Sequence, residues 1–226
     1  MRTIVYVDGY NLFYGRLRGT QYKWLDIVGL FSEIVRIQDP SSSLVQLKYF
    51  TSPAKAKFAS HGQESTASQE RYHRALKQTY GDQVEIISGF HTVEPGTAPK
   101  YQEPVVRLDT IDIWKFEEKQ TDVNIALHMY RDAVKNRCEQ LVLVTNDSDL
   151  EPALQFLTDE EIGFKIGLII PRPKPTAEVT PRPPNKKLSN LADWTRQHIL
   201  DEECEKFQLP DRIPTPKKPI DKPEYW

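Results

Sequence analysis

LVLVTNDSDLEPAL, residues 141–154, runs four apolar residues into an acidic turn and then into a second apolar pattern. An apolar run this short, bounded by turn formers, reads as a buried strand. Asp147 and Asp149 then stand where that strand emerges into solvent, and the stretch with Glu151 and Pro152 opens a helix. Two carboxylates at such a point repel each other, so either the turn is fully solvated or a positive group lies between them.

Further strands follow the same rule outward from this point: RTIVYVD (2–8), SLVQLKYFTS (43–52), QVEIISGF (83–90) and GFKIGLII (163–170). Helical patterns separate them. WLDIVGLFSEIVRI places Leu25, Val28, Leu30, Phe31, Ile34 and Val35 on one face, with Asp26 near its start; ASQERYHRALKQTYG stops at Gly81. This alternation predicts an α/β protein with a mainly parallel central sheet and crossover helices on both faces. Ligands in such sheets bind beyond the carboxyl ends of the strands.

Residues 91–120 break the rhythm. Three prolines precede an alternation through Val106, Leu108, Ile111, Ile113 and Phe116, which reads as a β-hairpin-like insertion. The main domain is expected over 1–170. Residues 171–187 hold six prolines with Arg172, Lys174, Arg182, Lys186 and Lys187, the composition of an extended basic linker. Leu188, Leu191, Trp194, His198 and Ile199 then have helical spacing, which predicts a terminal helix over 188–207 packing back on the domain. The end, 208–226, reads as disordered. Its PTPKKP and the linker's PRPKP are solvated tethers or extended ligands for a protein partner.

Net charge gives no reason to expect a general polyanion binder, since 30 Lys and Arg nearly balance 32 Asp and Glu, although local patches could hold nucleic acid. Two distant cysteines, Cys138 and Cys204, match no metal or redox spacing and predict free thiols in a reducing, cytoplasmic setting. No run approaches the apolar length of a membrane span. The five histidines are scattered, and neither GxGxxG nor GxxxxGK occurs, so no dinucleotide fold or P-loop is signalled.

Asp8 ends the first strand, Asp122 opens TDVNIALHMYRDAV, and Asp147 with Asp149 ends the strand at 144. Capping accounts for one acid per helix but not for the pair plus Asp8. If the first strand neighbours that of residues 140–144, four carboxylates meet at one sheet edge, where a hard divalent cation would bridge them. Thr145 and Ser148 add polar atoms.

VYVDGYNLFYG, EEKQTDVNIALHMYRDA and LVLVTNDSDLEPAL, in this order, resemble the NYN domain family, relatives of PIN-domain nucleases. The resemblance implies a PIN-like three-layer α/β/α sandwich and, for active members, Mg²⁺- or Mn²⁺-dependent RNA cleavage. At matching positions Asp8, Asp122, Asp147 and Asp149 would be catalytic metal ligands, with Asn11 and Lys119 as polar neighbours. Two departures stand out: Asn146 where a small residue is usual, and a longer Pro-rich segment. For single-stranded RNA the chain offers Arg16, Lys48, Lys55, Lys57, Arg71 and Arg74, with Tyr49, Phe50, Phe58 and Tyr72 as stacking groups or core. Two other classes stay open: a non-catalytic RNA-binding module, and an NADH-dependent 6-hydroxy-3-succinoylpyridine hydroxylase, an activity described for some NYN-like bacterial proteins. A homo-oligomer is also left open.

Overall fold

The first strand, β1 (Arg2–Asp8), sends its side chains alternately into two apolar layers: Ile4 and Tyr6 into one, Val5 and Val7 into the other, all buried. The computed structural model describes residues 1–159 and 163–226. After β1 come α1 (Gly9–Leu12), continued by a π-helical turn (Phe13–Leu17), then α2 (Ile27–Gln38), β2 (Ser43–Thr51), α3 (Gln63–Tyr80) and β3 (Val84–Ser88). The hairpin strands β4 (Phe90–Pro99) and β5 (Thr110–Lys119) lead into α4 (Thr121–Val134), β6 (Gln140–Val144), α5 (Glu151–Asp159) and β7 (Lys165–Ile169). The chain closes with α6 (Lys186–Leu191), β8 (Trp194–Arg196), α7 (Asp201–Lys206), β9 (Arg212–Ile213) and β10 (Ile220–Asp221).

Six strands form one sheet in the order β3-β2-β1-β6-β7-β8, every pairing parallel. α2 and α3 bury Leu30, Phe31, Ile34, Tyr72 and Leu76 on one face, while α4, α5 and α6 bury Ile125, Met129, Leu154 and Leu188 on the other. This is the three-layer α/β/α sandwich the strand and helix alternation predicts. Asp26 caps α2, its Oδ1 accepting from Gly29 N at 2.9 Å. The insertion is an antiparallel hairpin pairing Phe90–Pro99 with Thr110–Lys119. Val106 and Leu108, expected in its second strand, lie exposed in the connecting loop.

The C-terminal third departs from expectation. Residues 188–207 do not form one helix: α6 stops at Leu191, and Trp194–Arg196 joins the sheet as β8 beside β7. Gly167 is the physical reason, because the Trp194 indole occupies the place of any side chain there. Asp193 accepts from Ile166 N at 2.7 Å and Trp194 Nε1 donates to Gln140 Oε1 at 3.0 Å, which fixes the strand.

Nor is the 208–226 tail a loose end. β9 and β10 pair, Leu209, Ile213 and Ile220 are buried, and Trp226 packs against Trp24 and Tyr72 at 6.1 and 5.7 Å between ring centroids. Composition counted its prolines and charges, whereas these few apolar side chains anchor it. Trp24 Nε1 donates to Pro210 O at 3.0 Å. Both cysteines are free and buried. Among the described residues no helix is long and apolar enough to cross a membrane.

Candidate functional site

The strand order reverses direction between β1 and β6, the position at which open parallel sheets form a crevice at their carboxyl ends. Register decides what meets there. Val7 pairs with Val144, so Asp8 lies beside Thr145. Thr145 Oγ1 donates to Asp8 Oδ2 at 2.9 Å and accepts from Asp147 N at 3.1 Å, so one buried hydroxyl joins the first motif to the third. Asn11 makes the second link. Its Nδ2 donates to Asp8 Oδ2 at 2.8 Å, its N–H to Asp8 Oδ1 at 3.0 Å, and its Oδ1 accepts from Asn146 N at 3.3 Å. Asp8 therefore caps α1 and is held in place by that helix and by the residue that follows β6. Gly9 permits this closeness, since a Cβ there would sit 2.6 Å from Phe50 O.

Asp122 enters from the first turn of α4, behind Gln120, which adopts a left-handed φ of 74°. Burial and then the charges of Asp8, Asp147, Glu118 and Asp149 push the Asp122 carboxyl up to about 6. Asp8 is also raised: burial outweighs the hydrogen bonds from Asn11 and Thr145, and Glu118 adds to it. The Thr145 bridge and the packing of α4 on β1 and on the Ser148–Leu150 turn bring the four aspartates to one edge of the sheet. Asp149 is exposed and Asp147 half-buried, each on the solvent side of Asp8. Ser148 is exposed and opens the short turn Ser148–Leu150. An open hollow of about 700 Å³ lies beside it, lined by Ser148, Asp149, Glu151, Pro152 and Gln155.

Glu118 is the acid that sequence reading missed. It accepts from Thr121 Oγ1 at 2.6 Å, and its charge reaches Asp8, Tyr10 and Asp122. Strand alternation within EEK was the available signal. Lys119, expected to neighbour Asp122, lies on the other face of β5 with its ammonium on Glu117 Oε2 at 2.5 Å. Gly89 brings the hairpin base this close: a Cβ there would meet Thr121 Oγ1 at 2.7 Å.

Oxygen donors and clustered negative charge fit a hard divalent cation. Among the described residues no three acidic, histidine or cysteine side chains converge as a ready-made cage.

The cations divide. Lys55, Lys57 and Arg74 are exposed and Arg71 is half-buried, 3.9 Å from Glu64. Lys57 Nζ sits 3.6 Å from the Trp114 ring centroid. Two predicted RNA contacts are structural instead. Lys48 is fully buried in β2 and pairs with Asp132 on α4, which also accepts from Tyr6 OH at 2.8 Å and Arg137 Nη1 at 3.0 Å. Arg16 is buried, donating to Ile199 O at 3.0 Å and pairing with Asp201. Both fail as surface groups because each neutralises a carboxylate from a distant segment. Of the stacking candidates, Tyr49, Phe50 and Tyr72 are core and Phe58 is exposed.

Comparison with known proteins agrees with this geometry: the model of the NYN domain matches residues 2–182. The chain belongs to the NYN domain family. NYN domains are PIN-like nuclease domains, generally RNA-binding, that typically use divalent metals. The chain is 36% identical to 6-hydroxy-3-succinoylpyridine 3-monooxygenase HspA of Pseudomonas putida, over all of its own length and 75% of that protein. A crystal structure of a protein of unknown function from Vibrio parahaemolyticus matches 92% of the chain and 96% of its own, with a TM-score of 0.50 at 14% identity. That likeness concerns the fold alone. β8 lies beyond residue 182, so the sheet of this NYN protein extends past the matched segment.

Proposed function

We propose that this NYN protein is a divalent-cation-dependent ribonuclease that hydrolyses RNA phosphodiesters at the β1–β6 crevice. The observation that carries the reading is the gathering of Asp8, Asp122, Asp147, Asp149 and Glu118 there, where burial first and then the neighbouring charges push the Asp122 carboxyl up to about 6. Uncompensated anions in a crevice at a switch point call for a cation. Asp122, Asp147 and Asp149 would hold Mg²⁺ or Mn²⁺, with Asp8 completing the set. Such an ion lowers the pKa of water and stabilises charge on the leaving oxygen. The chain's own part is orientation. Asn11 and Thr145 fix Asp8, Thr145 fixes the Asp147 backbone, and Thr121 holds Glu118 at the rim.

The test is Mn²⁺ titration calorimetry and cleavage of single-stranded RNA with the wild type and Asp147→Asn. Loss of both in the variant supports the reading; Mn²⁺-dependent cleavage at the wild-type rate in the variant overturns it. A second reading, a hydroxypyridine monooxygenase, is favoured by the 36% identity across the whole chain. NADH consumption on adding 6-hydroxy-3-succinoylpyridine would establish it. Absence of any consumption by metal-loaded protein removes it.

A further inference from the structure

Asn146 and the Pro-rich segment of residues 171–187 form one device. Asn146 is the residue before Asp147, and its amide holds the segment at two points: Nδ2 donates to Pro183 O at 3.0 Å, and Oδ1 accepts from Asn185 N at 2.8 Å. A second clasp sits at the other end. Buried Arg172 donates to Gln197 O at 2.8 Å and to Arg182 O at 3.1 Å, closing the neck of the loop between them. From there the strap runs into α6, which packs on the Ser148–Leu150 turn carrying Asp149. Lys187 Nζ lies 3.1 Å from Glu151 Oε2, at the wall of the hollow beside Asp149.

The charge of this strap is one-sided. Lys174, Arg182, Lys186 and Lys187 are exposed, against a single acid, Glu178, between residues 171 and 187. Prolines 181, 183 and 184 fix φ and remove donors, so residues 181–184 run extended into the first turn of α6, where Lys186 and Lys187 stand. Cations on such a chain are presented with little ordering cost on binding. A crevice of five carboxylates repels a polyanion, and a flanking cationic track offsets that repulsion.

We propose that the strap is the phosphate rail of the site: Arg182, Lys186 and Lys187, latched by Asn146, bind the backbone of single-stranded RNA leading to Asp147 and Asp149. This rests on the ribonuclease reading and names how that site takes its substrate.

The experiment is fluorescence anisotropy of a labelled oligouridylate with the full chain in EDTA, across a salt series. In the Arg182→Ser/Lys186→Ser/Lys187→Ser protein, affinity falls about tenfold or more. The slope of log affinity against log salt shrinks by about 2, each phosphate contact to a single strand contributing about 0.7. A Lys217→Ser/Lys218→Ser/Lys222→Ser protein, which loses equal charge from the tail, keeps the wild-type slope. Asn146→Ala weakens binding with every strap cation present, and trypsin cuts after Lys186 and Lys187 faster than in the wild type. An unchanged slope in the strap variant, or an equal loss in the tail variant, overturns the rail. Strap-dependent binding without Mn²⁺-dependent cleavage sinks the ribonuclease reading and leaves the rail standing. Cleavage with an unchanged strap slope does the reverse, and no RNA binding at all removes both.

Discussion

Asp122 carries the most consequential charge. Its folded-state carboxyl titrates at about 6 against an ordinary value of 3.8, because burial and four neighbouring carboxylates disfavour ionisation. The folded state therefore holds this proton more tightly than the unfolded chain. Its contribution to stability is present below pH 4 and is lost as pH rises through about 6. Asp122→Asn should accordingly raise the melting temperature at pH 7.5 and change it little at pH 4, as scanning fluorimetry at both values would show. A lower melting point at pH 7.5 would mean that the carboxylates do not repel as described. Lys48 illustrates the opposite balance. Burial raises the Asp132 carboxyl, but the hydrogen bonds from Lys48 and Tyr6 and the charges of Lys48 and Arg131 outweigh it, so it stays ionised. Lys48→Met removes one partner of that carboxylate and leaves Tyr6 and Arg137 on it, so it should cost about 1–3 kcal/mol in urea unfolding. RNA affinity of the folded protein should not change, since Lys48 reaches no surface. Sequence offered Lys48 as a surface cation because its alternation in β2 could not reveal a carboxylate waiting on α4.

The hairpin and the helix after it form the element that sets Glu118 and Asp122 in place. Gly89 and Gln120 are its hinges. A Cβ at residue 89 would lie 2.5 Å from Lys119 O, so Gly89→Ala should lose about 1–3 kcal/mol by overpacking. Gln120 holds φ at 74°, a conformation glycine adopts freely. Gln120→Gly should therefore gain roughly 1 kcal/mol, measured by denaturant midpoint. A loss instead would assign the Gln120 side chain a structural role. The insertion was legible from its prolines and alternation, yet its distance to the acids was not. Period-two spacing fixes which residues share a face but not which way that face turns.

Across the whole molecule, the C-terminal segment completes the second apolar layer. Trp226 covers Trp24 and Tyr72, so Trp226→Ala should cost about 1–2 kcal/mol, less than full aromatic burial would supply. A red shift of tryptophan emission should accompany it as Trp24 gains water. An unchanged midpoint would show that the tail does not support the core. Alternating apolar runs and helical spacings by themselves determined five of the six strands of the parallel sheet and singled out four aspartates at their ends, because period and chain order are local properties. Three distant motifs in order were enough to mark the family. Register and burial belong to the tertiary structure alone: they placed Asp8 beside Thr145, drew Glu118 to the crevice, withdrew Lys48 and Arg16 into ion pairs, and folded a Pro-rich tail onto the core. The reason is that a charge's role depends on the partner it meets, and here those partners come from segments more than 80 positions away.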